Sequence, residues 1–125
     1  MGVTSSGTPV DITRVVAEAD RRIALGNIEF HYFAGYSGGY KAIMPGVSTP
    51  AAIQSNHKMM IKPESCAGRL EGNPVREDIE EAGALCGVDF ILALLFISRI
   101  RFTAASLCRI NSSFDIFSIT ATPYF

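Results

Sequence analysis

His31-Tyr-Phe-Ala-Gly-Tyr-Ser-Gly-Gly-Tyr-Lys-Ala-Ile-Met-Pro-Gly46, continued to Asn56-His57, is the stretch on which the reading of this chain turns. It holds both histidines of the protein and a lysine, Lys41, that follows glycines at 35, 38 and 39. Imidazole titrates near neutral pH and is the commonest metal ligand. A lysine amine can be tied covalently to a cofactor or pushed into nucleophilic chemistry. The glycines let the backbone take positive φ and come close to a ligand, while Phe33, Tyr36 and Tyr40 supply walls around the same loop. Taken singly, a histidine is more often structural and a lysine more often solvated. Their grouping around one glycine-rich turn is what points to chemistry.

Working outward, the segment alternates helices with short apolar strands. Thr8-Pro9 has the N-cap and N1 pattern of a helix running to about Asp20, with Val10, Val15, Val16 and Ala19 as its apolar stripe. Ile23 to Ile28 predicts a short buried strand leading into the loop. Thr49-Pro50 opens a second helix by the same logic, expected to reach about Met60, with Ile53, His57 and Ile61 sharing a face at i, i+4 spacing. Asn73-Pro74 opens a third helix through Val75, Ile79, Ala82 and Leu85, ended by Gly87. Its acidic residues (Glu77, Asp78, Glu80, Glu81) suit the helix dipole and predict a solvated face. Val88 to Phe96 predicts a buried strand, with Leu85, Ile91 and Leu92 in the core. This alternation makes an α/β class the natural expectation. Residues 1–97 would form part of one α/β domain. From Ser98 onward there is no Lys and no Glu, and 98–125 is expected to be a divergent tail, frame-shifted or poorly ordered.

Composition narrows the function classes. The chain has 125 residues, 48% hydrophobic and 18% charged, which is globular rather than disordered. A formal net charge of -1 implies no basic face, so nucleic acid is not an expected partner. Cys66, Cys86 and Cys108 form no Cys-x-x-Cys pair; the odd, spaced count fits a reducing cytoplasm, with each thiol a small buried hydrophobe. The longest apolar run, Phe90 to Ile97, is too short to span a bilayer, and no secretory leader is expected.

Familiar motifs fail in specific places. A P-loop would need glycine where Tyr40 stands and a hydroxyl where Ala42 stands. Catalytic zinc would need three ligands at recognisable spacing, and only two histidines exist. No nucleophile elbow is present for a Ser-His-Asp triad.

The run from Gly26 to about Leu92 resembles the nickel-pincer lactate racemase family. The resemblance rests on His31 to Gly46, on Asn56-His57, and on Leu70-Glu-Gly-Asn-Pro-Val-Arg-Glu-Asp78, with a further likeness over Thr4 to Asp20. It implies a racemase or epimerase of 2-hydroxy acids, lactate by default, that uses a pyridinium mononucleotide whose two sulfur groups grip nickel. By the same resemblance Lys41 carries this cofactor covalently through a thioamide, His57 completes the nickel coordination, and His31 is one of two acid/base histidines. Phe33 and Pro45 would line the cofactor site. The family's second acid/base histidine and an Asp/Arg loop are expected upstream of Met1, and a substrate-closing domain downstream. The chain is therefore expected to be an internal piece of such an enzyme. Its alternative is a truncated, non-catalytic or vestigial cofactor-binding domain.

Overall fold

The computed structural model describes residues 1–96 and 119–121. Its elements in chain order are α1 (Arg14–Ala17), β1 (Ile23–Ile28), β2 (Phe30–His31), β3 (Gly35–Tyr36), a 3-10 turn over Gly39–Ala42, α2 (Pro50–His57), a second 3-10 turn over Lys58–Ile61, α3 (Pro74–Cys86), β4 (Phe90–Phe96) and β5 (Ile119–Ala121). The class is α/β. β1, β4 and β5 form a parallel sheet in that order, with Ile23 opposite Phe90 and Leu94 opposite Ile119. Two parallel neighbours cannot be joined by a tight turn. Here the long crossover between β1 and β4 contains the glycine loop, the small β2–β3 hairpin and both longer helices.

Among the described residues the main buried cluster lies under that crossover. Val10, Phe33, Ala34, Met44, Ala52, Val75, Ile79 and Ala82 form one buried cluster, with Tyr40, Ile53 and Met59 packed against it. α2 starts where Thr49 caps it, its side chain accepting from the Ala52 N–H at 3.4 Å, with Pro50 at the first helical position. α3 starts at Asn73, whose side-chain oxygen accepts from the N–H groups of Val75 and Arg76. It stops at Gly87, which takes φ 67°, ψ 59°, the left-handed cap that glycine tolerates best.

Several expectations need correction. No helix runs from Thr8: α1 is four residues long, and residues 8 to 12 are extended. Their backbone groups are taken elsewhere, the Val10 N–H by the Gly2 carbonyl and the Thr8 N–H by the Thr4 hydroxyl, while Ile12 bridges Ser48. Tertiary pairing overrides the Thr-Pro signal, and Val15 is left exposed. α2 ends at His57 and tightens into a 3-10 turn. Lys62 is extended, as expected before Pro63, so Ile61 leaves the His57 face and is 85% exposed.

β1 has the expected boundaries but not the expected burial. Ala24 is buried, whereas Ile23 and Leu25 are 64% and 67% exposed. Phe90 is exposed opposite Ile23, and Ile91 and Leu92 are half-buried. The crossover covers one face of the strand pair, and side chains on the other alternate outward. Leu85 is exposed too; α3 buries Val75, Arg76, Asp78, Ile79, Ala82, Gly83 and Cys86 instead. Asp78 therefore does not belong to a solvated face. Cys86 is buried as expected, Cys66 is exposed, and Cys108 lies outside the described residues. Most of the expected tail lies outside them as well. Of residues 98–125 only Ile119–Ala121 is described, and it pairs with β4. Among the described residues no helix is long and apolar enough to cross a membrane.

Candidate functional site

The loop that carries Lys41 is seated on β1. Gly38 has φ 74°, and a Cβ there would lie 2.8 Å from the Asn27 carbonyl oxygen. Only glycine meets both demands. Beside it the Ser37 hydroxyl donates to that same carbonyl at 2.8 Å and accepts from the Glu29 N–H at 2.8 Å. On its other side the loop rests on α3. Gly83 faces Tyr40 so closely that a Cβ on it would come within 2.1 Å of the ring's Cγ. The buried Arg76 of α3 donates to the Tyr36 carbonyl at 3.0 Å and pairs with Glu80 at 2.5 Å. The segment bearing Lys41 is thus clamped between strand and helix.

Phe33 is the centre of the site. Its buried ring meets the His31 ring edge-on, with centroids 4.6 Å apart, and the His57 ring at 4.9 Å. The Lys41 ammonium lies 6.0 Å from the same ring's centroid, within reach of a cation–π attraction. Its main chain is fixed by Asn73, whose side-chain amide donates to the Phe33 carbonyl at 2.9 Å and to the Arg69 carbonyl at 3.1 Å. The structure therefore brings His31, Lys41 and His57 together around Phe33. Pro45 is half-buried in the turn after the 3-10 segment, its carbonyl accepting from the Ser48 N–H.

Crowding several basic groups against an apolar ring disfavours their charged forms. Burial, then Lys41, His57 and Arg76, hold the His31 pKa below the ordinary imidazole value. Burial, then Lys41, lower that of His57, against a raising hydrogen bond to the Ile53 backbone. Burial, then the Arg76 guanidinium, lower that of Lys41. The amine of Lys41 is in this way shifted toward its neutral, nucleophilic form.

Behind His57 runs a buried polar chain. The His57 Nδ1 lies 3.1 Å from the Asn56 side-chain oxygen, and the Asn56 amide donates to Asp78 Oδ2 at 2.8 Å and to the Val75 carbonyl at 3.2 Å. Thr4 donates to Asp78 Oδ1 at 2.5 Å. Asn56, Asp78 and Arg76 carry no role in the sequence reading. A signal for Asp78 was present: with Val75, Ile79, Ala82 and Cys86 it follows the i, i+3, i+4, i+7 spacing of one helix face.

A parallel sheet whose crossover carries a lysine and two histidines around one buried ring defines, among the described residues, an α/β domain with a single candidate site. The family of lactate racemase N-terminal domains matches residues 1–68, and the chain belongs to that family. It is 37% identical over 100 residues to a lactate racemase of Thermoanaerobacterium thermosaccharolyticum, covering 78% of this chain and 24% of that protein. It is 36% identical over 94 residues to one from Lactiplantibacillus plantarum, covering 74% and 22%. The lactate racemase apoprotein structure from T. thermosaccharolyticum superposes with a TM-score of 0.66 at 38% identity, over 68% of this chain and 21% of that one. The chain spans about a quarter of the length of these relatives.

Proposed function

We propose that this chain is the cofactor-holding segment of a racemase or epimerase of 2-hydroxy acids, with lactate as the default substrate and a nickel pincer group as the cofactor. The observation that carries the reading is the meeting of His31, His57 and Lys41 on the Phe33 ring. The donor set fits such a group. Among the described residues no three His, Cys, Asp or Glu side chains gather to hold a metal unaided. A metal here would need further donors from an organic partner, and a dithio pincer brings them. His57 would be the protein's ligand, since neutral imidazole suits nickel. Lys41, with its lowered pKa, would supply the amine for the covalent link. Phe33, and Pro45 in the adjoining turn, would line the site. When bound, the group supplies the hydride acceptor that racemisation at a hydroxyl-bearing carbon requires.

His31 would hold and move the substrate proton. Its Nδ1 accepts from the Ala34 N–H at 3.2 Å, so the neutral ring carries its proton on Nε2. In that state His31 donates to an oxygen. To take up a hydroxyl proton at Nε2 it must release the Ala34 contact and shift its own proton to Nδ1. Its lowered pKa keeps the ring neutral near pH 7.

The test is to produce the chain together with the enzymes that make the cofactor. Intact-mass and peptide mapping then read the adduct, and chiral chromatography of lactate reads turnover. An adduct on Lys41, lost in Lys41→Ala, with racemisation, supports the full reading. An adduct without racemisation leaves the non-catalytic carrier. No adduct on Lys41 defeats both.

A further inference from the structure

We propose that Asn56, itself held by Asp78, locks His57 in the tautomer protonated on Nδ1 and leaves the Nε2 lone pair as the only donor the ring can offer a metal. This rests on the reading of His57 as a metal ligand.

The assignment follows from counting donors and acceptors along the buried chain. The Thr8 N–H donates to the Thr4 hydroxyl oxygen at 3.0 Å, so the single hydroxyl proton of Thr4 goes to Asp78 Oδ1. The other carboxylate oxygen, Oδ2, faces the Asn56 side chain at 2.8 Å, and the Val75 carbonyl faces it at 3.2 Å. Both are acceptors. The Asn56 group that meets them must be the NH₂; turned over, its oxygen would abut a carboxylate and a carbonyl with no proton between. The Asn56 oxygen is thereby fixed toward His57 Nδ1 at 3.1 Å, and an oxygen facing a ring nitrogen calls for an N–H on it. Asn56, Asp78 and Thr4 are all buried, with Asn56 fully so, and no water is needed to complete the set.

The arrangement is the familiar one of a ligating histidine whose second nitrogen is held by a polar group, with an amide and a carboxylate in series. Free imidazole side chains favour the proton on Nε2, the nitrogen a metal would need. Without the lock, binding would first have to move that proton. His31 makes the contrast within the same site, because the Ala34 N–H sets it in the opposite tautomer. Asn56 and Asp78 are positioning residues: they act through His57 and touch no substrate.

Nitrogen-15 NMR of the imidazole rings in the metal-free 125-residue chain, at about pH 8 where both rings are neutral, reads this directly. Two histidines give two spin systems, and His31→Gln assigns them. The expected spectrum has one ring protonated on Nδ1, His57, and one on Nε2, His31. A His57 ring protonated on Nε2 in the parent chain overturns the proposal without any variant. Asn56→Ala is expected to return His57 to an Nε2-protonated or mixed population; an unchanged His57 tautomer in that variant also overturns it, since Asn56 would then not be what sets the proton. Adding Ni²⁺ alone separates this from the function. Selective perturbation of His57 resonances supports both claims. A His57 protonated on Nδ1 that ignores Ni²⁺ supports the tautomer lock alone, and agrees with a site that needs the pincer's own donors to hold nickel.

Discussion

Replacing Gly83 by alanine sets two effects of opposite sign against each other. In a helix interior, glycine to alanine ordinarily stabilises by about 1 kcal/mol. Here the added Cβ would lie 2.1 Å from Tyr40 Cγ, 2.2 Å from Cδ1 and 2.5 Å from Cβ. Carbon atoms rest about 3.5–4 Å apart, so α3 and the loop must separate by more than an ångström. The clashing atoms are the root of the tyrosine side chain, which cannot swing aside as a flexible tip would. Overpacking of this kind costs about 1–3 kcal/mol, and with contacts this short the upper end applies. The expected net result is a loss of about 1–2 kcal/mol, read as a lower urea midpoint at unchanged slope. The same substitution in a Tyr40→Gly background, where all three atoms are gone, should reverse sign and stabilise by up to about 1 kcal/mol. Because Lys41 follows Tyr40, its amine should also become more reactive to acylating reagents in the single variant. A Gly83→Ala chain as stable as the parent, with no sign change in the second background, would refute the clamp between α3 and the loop.

Other outcomes follow from the same geometry. Phe33→Ala, which empties a buried aromatic site, should cost about 3–5 kcal/mol by denaturant titration and separate the His31 and His57 ring signals from their shared shielding. Asn73→Ala removes the α3 cap and the donor to the Phe33 and Arg69 carbonyls. Its expected cost is about 2 kcal/mol or more, and Asn73→Asp, which keeps the cap but not the donor, should recover only part of it. Both histidine pKa values are lowered on folding, burial first among the causes. As pH falls through the unfolded imidazole value near about 6.5, the unfolded chain takes up protons before the folded one does, so stability is full above that value and declines below it. Urea midpoints measured across this window should show the decline, and a His31→Gln, His57→Gln chain should show a flatter profile.

The legible parts of this fold were those whose signals are local. Asn73-Pro74 and Gly87 bracket α3 to the residue, and Ile23 and Ile28 bound β1, because caps and short apolar segments act within a turn of themselves. Thr8-Pro9 carried the same cap pattern and misled. Its backbone is claimed by Gly2, Thr4 and, through Ile12, by Ser48, partners that only the folded chain brings near. Strand burial was overread for a related reason: an apolar run does not say whether both faces are covered. At the site, residue types and the glycine loop pointed to His31, Lys41 and His57. Phe33 as their common wall depends on the Asn73 and Arg76 contacts across 40 residues of chain, which spacing does not encode. Asp78 was read by charge when its place on the helix stripe was the better guide.

The long crossover between β1 and β4 also bears on the order in which the site assembles. Arg22 meets Asp89 across 67 residues, whereas Asn56 meets Asp78 across 22. Closing the longer loop costs about 1 kcal/mol more in chain entropy by the logarithmic rule. The helical pair that aligns His57 can therefore come together first, and the parallel strands fasten it afterwards. Pulse-labelled hydrogen exchange should protect α2 and α3 amides before those of β1. In a chain emerging from the ribosome, His31 and Lys41 would already be present when α3 arrives to receive them, while β4 follows directly behind. The strand pair then serves as a latch, shutting last on a site already laid out.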